Sequence, residues 1–114
     1  MDLKNIMQQL GSNPQIMQMQ QKMKQAYQDM HKRHETETIS ASSGGDMVKA
    51  TVTIKGSLVS LDISEDLLKE GSAVVSEMVV AAVNLAKDKA ATKSQEDMSK
   101  LAAELGLPSG FGGF

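Results

Sequence analysis

The chain opens with hydrophobic residues that recur every three or four positions, which is the spacing of one helix face. These residues are Leu3, Ile6, Met7 and Leu10. The pattern stops at Gly11, and Asn13 followed by Pro14 is a favourable cap and first residue for a second helix. We therefore predict a short amphipathic helix within an N-terminal extension, residues 1–13.

A longer helix is predicted from Pro14 to about Glu35, because its hydrophobic residues alternate between three- and four-residue spacing over two heptads. They are Ile16, Met19, Met23, Ala26 and Met30. Glutamine fills most of the other positions, so this hydrophobic seam is narrow. A narrow seam is typical of a helix that packs against a partner helix.

From Thr36 onward the hydrophobic period changes to two, which is typical of β-strands. Three short segments follow this alternation, separated by glycine-containing turns at 43–46 and 56–57. The residues predicted to face inward are Ile39, Ala41, Val48, Ala50, Val52, Ile54, Val59, Leu61 and Ile63. These segments predict an antiparallel sheet with one hydrophobic face, and we expect a helix to pack against that face and bury it.

The last part of the chain is predicted to be helical. Ser64 caps a short turn, and a long helix runs from about Ala73 to about Leu105. Its first half, residues 74–86, is hydrophobic nearly all round, whereas its second half is polar. Gly106 ends this helix, because glycine readily adopts the backbone conformation that follows a helix C-terminus.

The predicted fold class is therefore α+β: a long N-terminal helix, a three-stranded antiparallel sheet, a short helix and a long C-terminal helix. These elements form one domain over residues 14–105, and we expect the glycine-rich residues 106–114 to be a flexible tail. The last helix, at roughly 48 Å, is longer than the diameter of about 35 Å of a compact chain of this size. It would leave hydrophobic surface exposed, which predicts a twofold homodimer.

Composition narrows the class of protein. The chain has 114 residues, nine methionines and no cysteine, so disulfides, thiolate catalysis and cysteine-bound zinc are excluded. No run approaches the roughly 20 apolar residues of a membrane span, and the first residues do not follow the pattern of a signal peptide. We expect a cytoplasmic protein with no membrane partner.

Few residues suggest a catalytic or metal-binding site. His31 and His34 have the spacing of a helical metal pair, but no third ligand accompanies them, so we interpret both as polar surface residues. Asp62, Glu65 and Asp66 form the densest acidic group, and helix capping accounts for two of them. The sequence lacks a phosphate loop, a nucleophile elbow and a dinucleotide motif. We predict no enzymatic activity, no metal site and no cofactor.

Basic residues are the remaining candidates for a binding site. The net charge is −2, yet many lysines and an arginine lie on the two long helices. The candidate DNA-binding residues are Lys22, Lys24, Lys32, Arg33, Lys87, Lys89, Lys93 and Lys100. Alternatively, these basic residues form an ordinary solvent-exposed helix surface with no ligand. Asp88 and Asp97 lie among the lysines of the last helix, and Glu96 can form an ion pair with Lys100. A dimer would double each basic patch, and binding strengthens with the number of phosphates neutralised.

Several short segments occur in a characteristic order: MQMQQKM at 17–23, GGDMVKATV at 44–52, LDISEDLL at 61–68, VAAVN at 80–84 and GLPSGF at 106–111. This order resembles the YbaB/EbfC family of nucleoid-associated proteins over about residues 16–111. The resemblance implies an α+β subunit in a tweezer-like homodimer whose projecting helices contact double-stranded DNA. It also implies roles in nucleoid organisation and gene expression, and Lys22 and Lys89 match positions that tend to be basic in the family.

Two functions therefore remain open. The first is nucleoid DNA binding by a homodimer, through contacts to the phosphates of the duplex. The second is a protein-binding adaptor in recombination or DNA metabolism, with little direct DNA affinity. Aromatic residues make up only 3% of the chain, which disfavours binding to single strands by base stacking.

Overall fold

The computed structural model describes residues 2–12 and 14–106. Within these ranges it contains four helices and three strands. In chain order they are α1 (Leu3–Ser12), α2 (Pro14–Thr36), β1 (Thr38–Ser43), β2 (Val48–Thr53), β3 (Leu58–Ile63), α3 (Glu65–Leu68) and α4 (Ser72–Glu104). The α+β class and the predicted order of elements are confirmed. The predicted cap at Asn13 and the predicted tail after Gly106 lie outside the described residues, as does the side chain of Leu10.

The three strands form one antiparallel sheet in the order β1-β2-β3. Ala50 in the central strand pairs with Ala41 on one side and with Leu61 on the other. Gly44 and Gly45 both have positive φ angles, of 61° and 62°, in the turn between β1 and β2. Glycine adopts such angles without steric cost, so the Gly-Gly pair explains why the chain turns at this point.

Helix α4 covers the sheet with a row of small side chains. Ala82, Ala86 and Ala90 recur every four residues and are fully buried in the main core. On β2, Val48 and Val52 face this row and are equally buried. Alanine lets the helix approach the strands closely, so much of the core is formed by helix backbone and short side chains. The prediction that a helix covers the hydrophobic face of the sheet is confirmed.

Strand β3 is the edge strand that α4 leaves uncovered. The helix packs on β1 and β2, while Leu61 and Val59 remain exposed. Thr51 pairs with Ser60 whereas Val52 pairs with Leu58, so Val59 is the extra residue of a β-bulge. The prediction that Val59 and Leu61 lie in the core is therefore wrong. Helix α4 does not cover β3, and at Val59 the bulge also breaks the strict alternation of the strand.

Two helical segments leave the sheet side by side, and we call them the arms: residues 14–36 and residues 87–104. The segment between them, residues 37–86, is the body. Along α4, Met78 contacts the end of β1 and Asp97 contacts α2, so α2 and α4 run antiparallel. The molecule measures 72 × 23 × 20 Å, with a radius of gyration of 21.3 Å, whereas a compact chain of this length would have about 13 Å.

Most of the seam predicted on α2 is not buried within the subunit. Met30, near the body, is fully buried, whereas Met19, further along the arm, is 55% exposed. Helix α4 therefore serves as the partner helix only for the last turns of α2. None of the described helices is long and apolar enough to cross a membrane.

Candidate nucleic-acid interface

Charge is distributed unevenly between the arms and the body. The arms carry eight Lys or Arg against six Asp or Glu, whereas the body carries three against seven. The eight basic residues of the arms are the candidates named from the sequence. The electrostatic field that attracts a polyanion therefore lies along the arms rather than over the body.

A cleft of about 250 Å³ lies between the two arms where they leave the sheet. Three of the candidate residues border it: Arg33 from α2, and Lys93 and Lys100 from α4. Across residues 2–12 and 14–106, the side chains of Arg33 and Lys100 make no hydrogen bond or ion pair. Both cations are thus available to an anion that enters the cleft, although Glu104 also borders it.

Asp97 is the centre of a polar cluster at the base of this cleft. Its carboxylate accepts a hydrogen bond from Lys93 at 2.7 Å and contacts Nε2 of His34 at 2.8 Å. The hydrogen bond from Lys93 is the main cause that holds the pKa of Asp97 below its usual value, with His34 acting in the same direction and burial opposing both. The same hydrogen bond raises the pKa of Lys93.

The position of His34 corrects the interpretation drawn from the sequence. His34 is only 3% exposed, so it is a buried residue and not a polar surface residue. His31, three positions earlier, is exposed as predicted. The spacing of the two histidines gave no signal for this difference, because the partner of His34 lies 63 residues away in the chain.

A second, shallower cleft of about 340 Å³ lies beside the first, along the outer edge of the sheet. Lys89 and Lys93 border it together with Ile39 of β1. The Nζ atom of Lys89 lies 3.4 Å from the backbone oxygen of Ser40, to which it donates a weak hydrogen bond. Asp88 and Glu96 also border this cleft, so the two lysine charges are offset by two carboxylates.

The other candidate residues are exposed, but the structure does not gather them into one pocket. Lys24 borders a shallow depression on α2, and Lys22, Lys32 and Lys87 extend from the arms into solvent. The eight candidates therefore line the length of the arms. This arrangement fits contact with an extended charged ligand better than capture of a small molecule.

Two members of the acidic group found in the sequence, Glu65 and Asp66, have a structural role. The Ser64 side chain accepts a hydrogen bond from the backbone N–H of Leu67 at 3.2 Å, and Glu65 and Asp66 occupy the first turn of α3. Acidic residues in a first turn interact favourably with the positive end of a helix. Among the described residues, no group of three His, Asp or Glu is arranged to hold a metal ion.

Comparison with known proteins identifies the family. Residues 2–105 match the profile of the YbaB/EbfC DNA-binding family. The chain belongs to this family. It is 38% identical over 103 residues to a nucleoid-associated protein of Brucella ovis, covering 90% of this chain and 92% of the relative. A nucleoid-associated protein of Chlorobium phaeobacteroides is 43% identical over 75 residues, covering 66% of this chain and 67% of the relative.

A solved structure shares the fold of this YbaB/EbfC family member. The crystal structure of an uncharacterized protein from Helicobacter pylori superimposes with a TM-score of 0.57 at 22% identity. The match covers 67% of this chain and 89% of the other. At this level of identity the likeness concerns the fold alone.

Proposed function

We propose that this YbaB/EbfC family member acts as a homodimer that binds double-stranded DNA through phosphate contacts made by its arms. The observation that carries the proposal is the concentration of basic side chains on the arms while the body is acidic. Curated relatives are named nucleoid-associated proteins. We therefore place the protein in the cytoplasm at the nucleoid, with effects on nucleoid organisation and gene expression and with no enzymatic activity or cofactor.

The exposed hydrophobic surface supports the dimer. The accessible surface of the subunit is 8204 Å², whereas a compact monomer of this mass would expose about 6,100 Å². This excess follows from the elongated shape of the subunit, so the support for a partner comes from the hydrophobic side chains within the exposed surface and not from its total area. Strand β3 contributes Leu58, Val59 and Leu61 to the exposed hydrophobic residues, and α4 contributes Val80 and Leu85.

Salt dependence tests the phosphate contacts. We would first fix the oligomer mass by light scattering, and then titrate a labelled duplex of about 30 base pairs while following fluorescence anisotropy at several salt concentrations. Phosphate-driven binding should give a straight line of log affinity against log salt, with a slope of about −0.9 per neutralised phosphate. A monomeric mass would contradict the dimer, and affinity independent of salt would contradict the phosphate contacts.

The chain offers a matched pair of variants for this titration. The arm variant replaces Lys87, Lys89 and Lys100 by glutamine, and the body variant replaces Lys49, Lys55 and Lys69 by glutamine. Both remove three positive charges per protomer, so the net charge is the same. If all six altered arm residues of a dimer contact phosphates, the arm variant should lose about 5 units of the salt slope, whereas the body variant should keep it. Equal losses would show that the arms are not the contact surface.

Exposed hydrophobic residues on α1 and on the first turns of α2 favour a second candidate function. Leu3 and Met7 on α1, and Met17 and Met19 on α2, are largely exposed. Flexible methionine side chains are common at surfaces that bind other proteins. The alternative is therefore a protein-binding adaptor in recombination or DNA metabolism. It predicts binding to a protein that changes little with salt, and no DNA affinity even at low ionic strength.

A further inference from the structure

The contact between His34 and Asp97 joins the two arms at the point where they leave the body. Their side chains meet at 2.8 Å across 63 residues of sequence. His34 is 3% exposed and the Asp97 side chain is 13% exposed, so water competes little for this hydrogen bond. This is the only hydrogen bond or ion pair between side chains of the two arms in the described part of the chain.

The ionisation state of Asp97 determines which residue donates the hydrogen bond. The pKa of Asp97 lies below its usual value, so its carboxylate is ionised near neutral pH and can only accept hydrogen bonds. Nε2 of His34 must therefore carry a proton and donate it. Lys93 donates to the other carboxylate oxygen, and Asp97 is held from both sides. Hydrogen bonds to an ionised acceptor are stronger than those between neutral groups.

The neighbours of this contact are the unpaired cations of the cleft. Arg33 precedes His34 on α2, and Lys100 lies about one turn beyond Asp97 on α4. Both border the same cleft from different helices. Their separation therefore depends on the distance between the arms, and one phosphate can contact both cations only if that distance is fixed.

We propose that His34 and Asp97 form a clasp that sets the separation of the arms and so positions Arg33 and Lys100 to bind one phosphate group of the DNA backbone. His34 is a positioning residue, since it touches Asp97 and not the ligand. The carboxylate of Asp97 is at the same time paired with the Lys93 ammonium, which offsets a negative charge that would otherwise repel a phosphate from the cleft. This inference rests on the proposed DNA binding.

A substitution of His34 tests the clasp, with a matched control and a rescue. His34→Ala removes the hydrogen bond to Asp97. His34→Gln places an amide N–H close to the position of Nε2 and should restore the hydrogen bond. His31→Ala is the control, because it removes an exposed histidine from the same helix. If the alanine variant does not fold, His34→Asn replaces it, since its amide is too short to reach Asp97.

The separation of the arms can be measured directly, because the chain contains no cysteine. Spin labels on cysteines introduced at Gln28 and Ala103, both exposed, would lie about level along the helix axes, since each is six residues from the contact between His34 and Asp97. The distance between the labels therefore follows the separation of the arms. Labelled protein would be mixed with an excess of unlabelled protein, so that each dimer carries one labelled subunit. Pulsed electron resonance should give a narrow distance distribution for the unchanged protein, His31→Ala and His34→Gln, and a broad one for His34→Ala.

DNA affinity is measured on the same variants by anisotropy. We expect His34→Ala to lose about tenfold in affinity and about 1 unit of salt slope per lost phosphate contact, and His34→Gln to recover both. Equal affinity of the unchanged protein and His34→Ala would overturn this inference and leave the proposed function standing. A narrow distance distribution in His34→Ala would overturn the clasp as well. Absence of DNA binding by the unchanged protein would overturn the proposed function and this inference together.

Discussion

Replacement of Met30 by alanine should release α2 from the rest of the subunit without unfolding the body. Met30 is 1% exposed, yet it is not part of the core between α4 and the sheet. Because α2 and α4 run antiparallel from the contact between His34 and Asp97, Met30 lies about level with Ala102, which is also buried. We therefore expect the two residues to pack together as a small separate core between the arms.

The expected loss of stability in Met30→Ala follows from the burial of the methionine side chain. Truncation of a buried methionine to alanine costs about 2–5 kcal/mol, which corresponds to an increase of roughly 30- to 5,000-fold in the opening equilibrium of the element it anchors. In the described part of the chain, helix α2 packs mainly against α1, α4 and β2, so few contacts hold it to the body. Regions with few buried contacts open as local units, separately from global unfolding.

Native-state hydrogen exchange with mass spectrometry is the appropriate assay. In Met30→Ala, the amides of α2 should lose protection, while those of β2 and of the first half of α4 should keep it. Met19→Ala is the matched control, because Met19 lies in the same seam but is 55% exposed, and its truncation should cost no more than about 0.5 kcal/mol. Uniform loss of protection across the chain would refute the separate core, and unchanged protection of α2 would refute its role as an anchor.

Two further perturbations test the structure. Since hydrogen bonding to Lys93 lowers the folded-state pKa of Asp97, this carboxylate should stabilise the fold above about pH 4 and lose that effect as the pH falls through the lowered value. The difference in urea stability between the unchanged protein and Asp97→Asn should therefore shrink in acid, and a constant difference would contradict this. Gly44→Ala should cost more than Gly45→Ala, since both have positive φ but a Cβ atom on Gly44 would lie 2.5 Å from the Met78 sulfur. Thermal melts that show equal costs, each of about 1 kcal/mol, would show that Met78 moves aside.

Local patterns in the sequence were sufficient for most of the secondary structure. The change from helical to two-residue periodicity near Thr36, the Gly-Gly turn and the Ser64 cap each depend on residues a few positions apart. The predicted elements therefore agree with the structure to within about two residues. The bulge at Val59 is the exception, because a bulge is a property of the pairing between two strands and has no signature in the alternation of one strand.

For the candidate interface, too, the sequence predicted the residues but not their arrangement in space. Charge and helical spacing assigned the eight basic residues to two helices, since both are local properties of the sequence. Only the tertiary structure decided that Arg33 and Lys100 border one cleft, that His34 is buried against Asp97 and that α4 leaves β3 uncovered. These features depend on contacts between distant segments, and such contacts follow from how helices and strands pack in three dimensions, which periodicity along the chain does not encode.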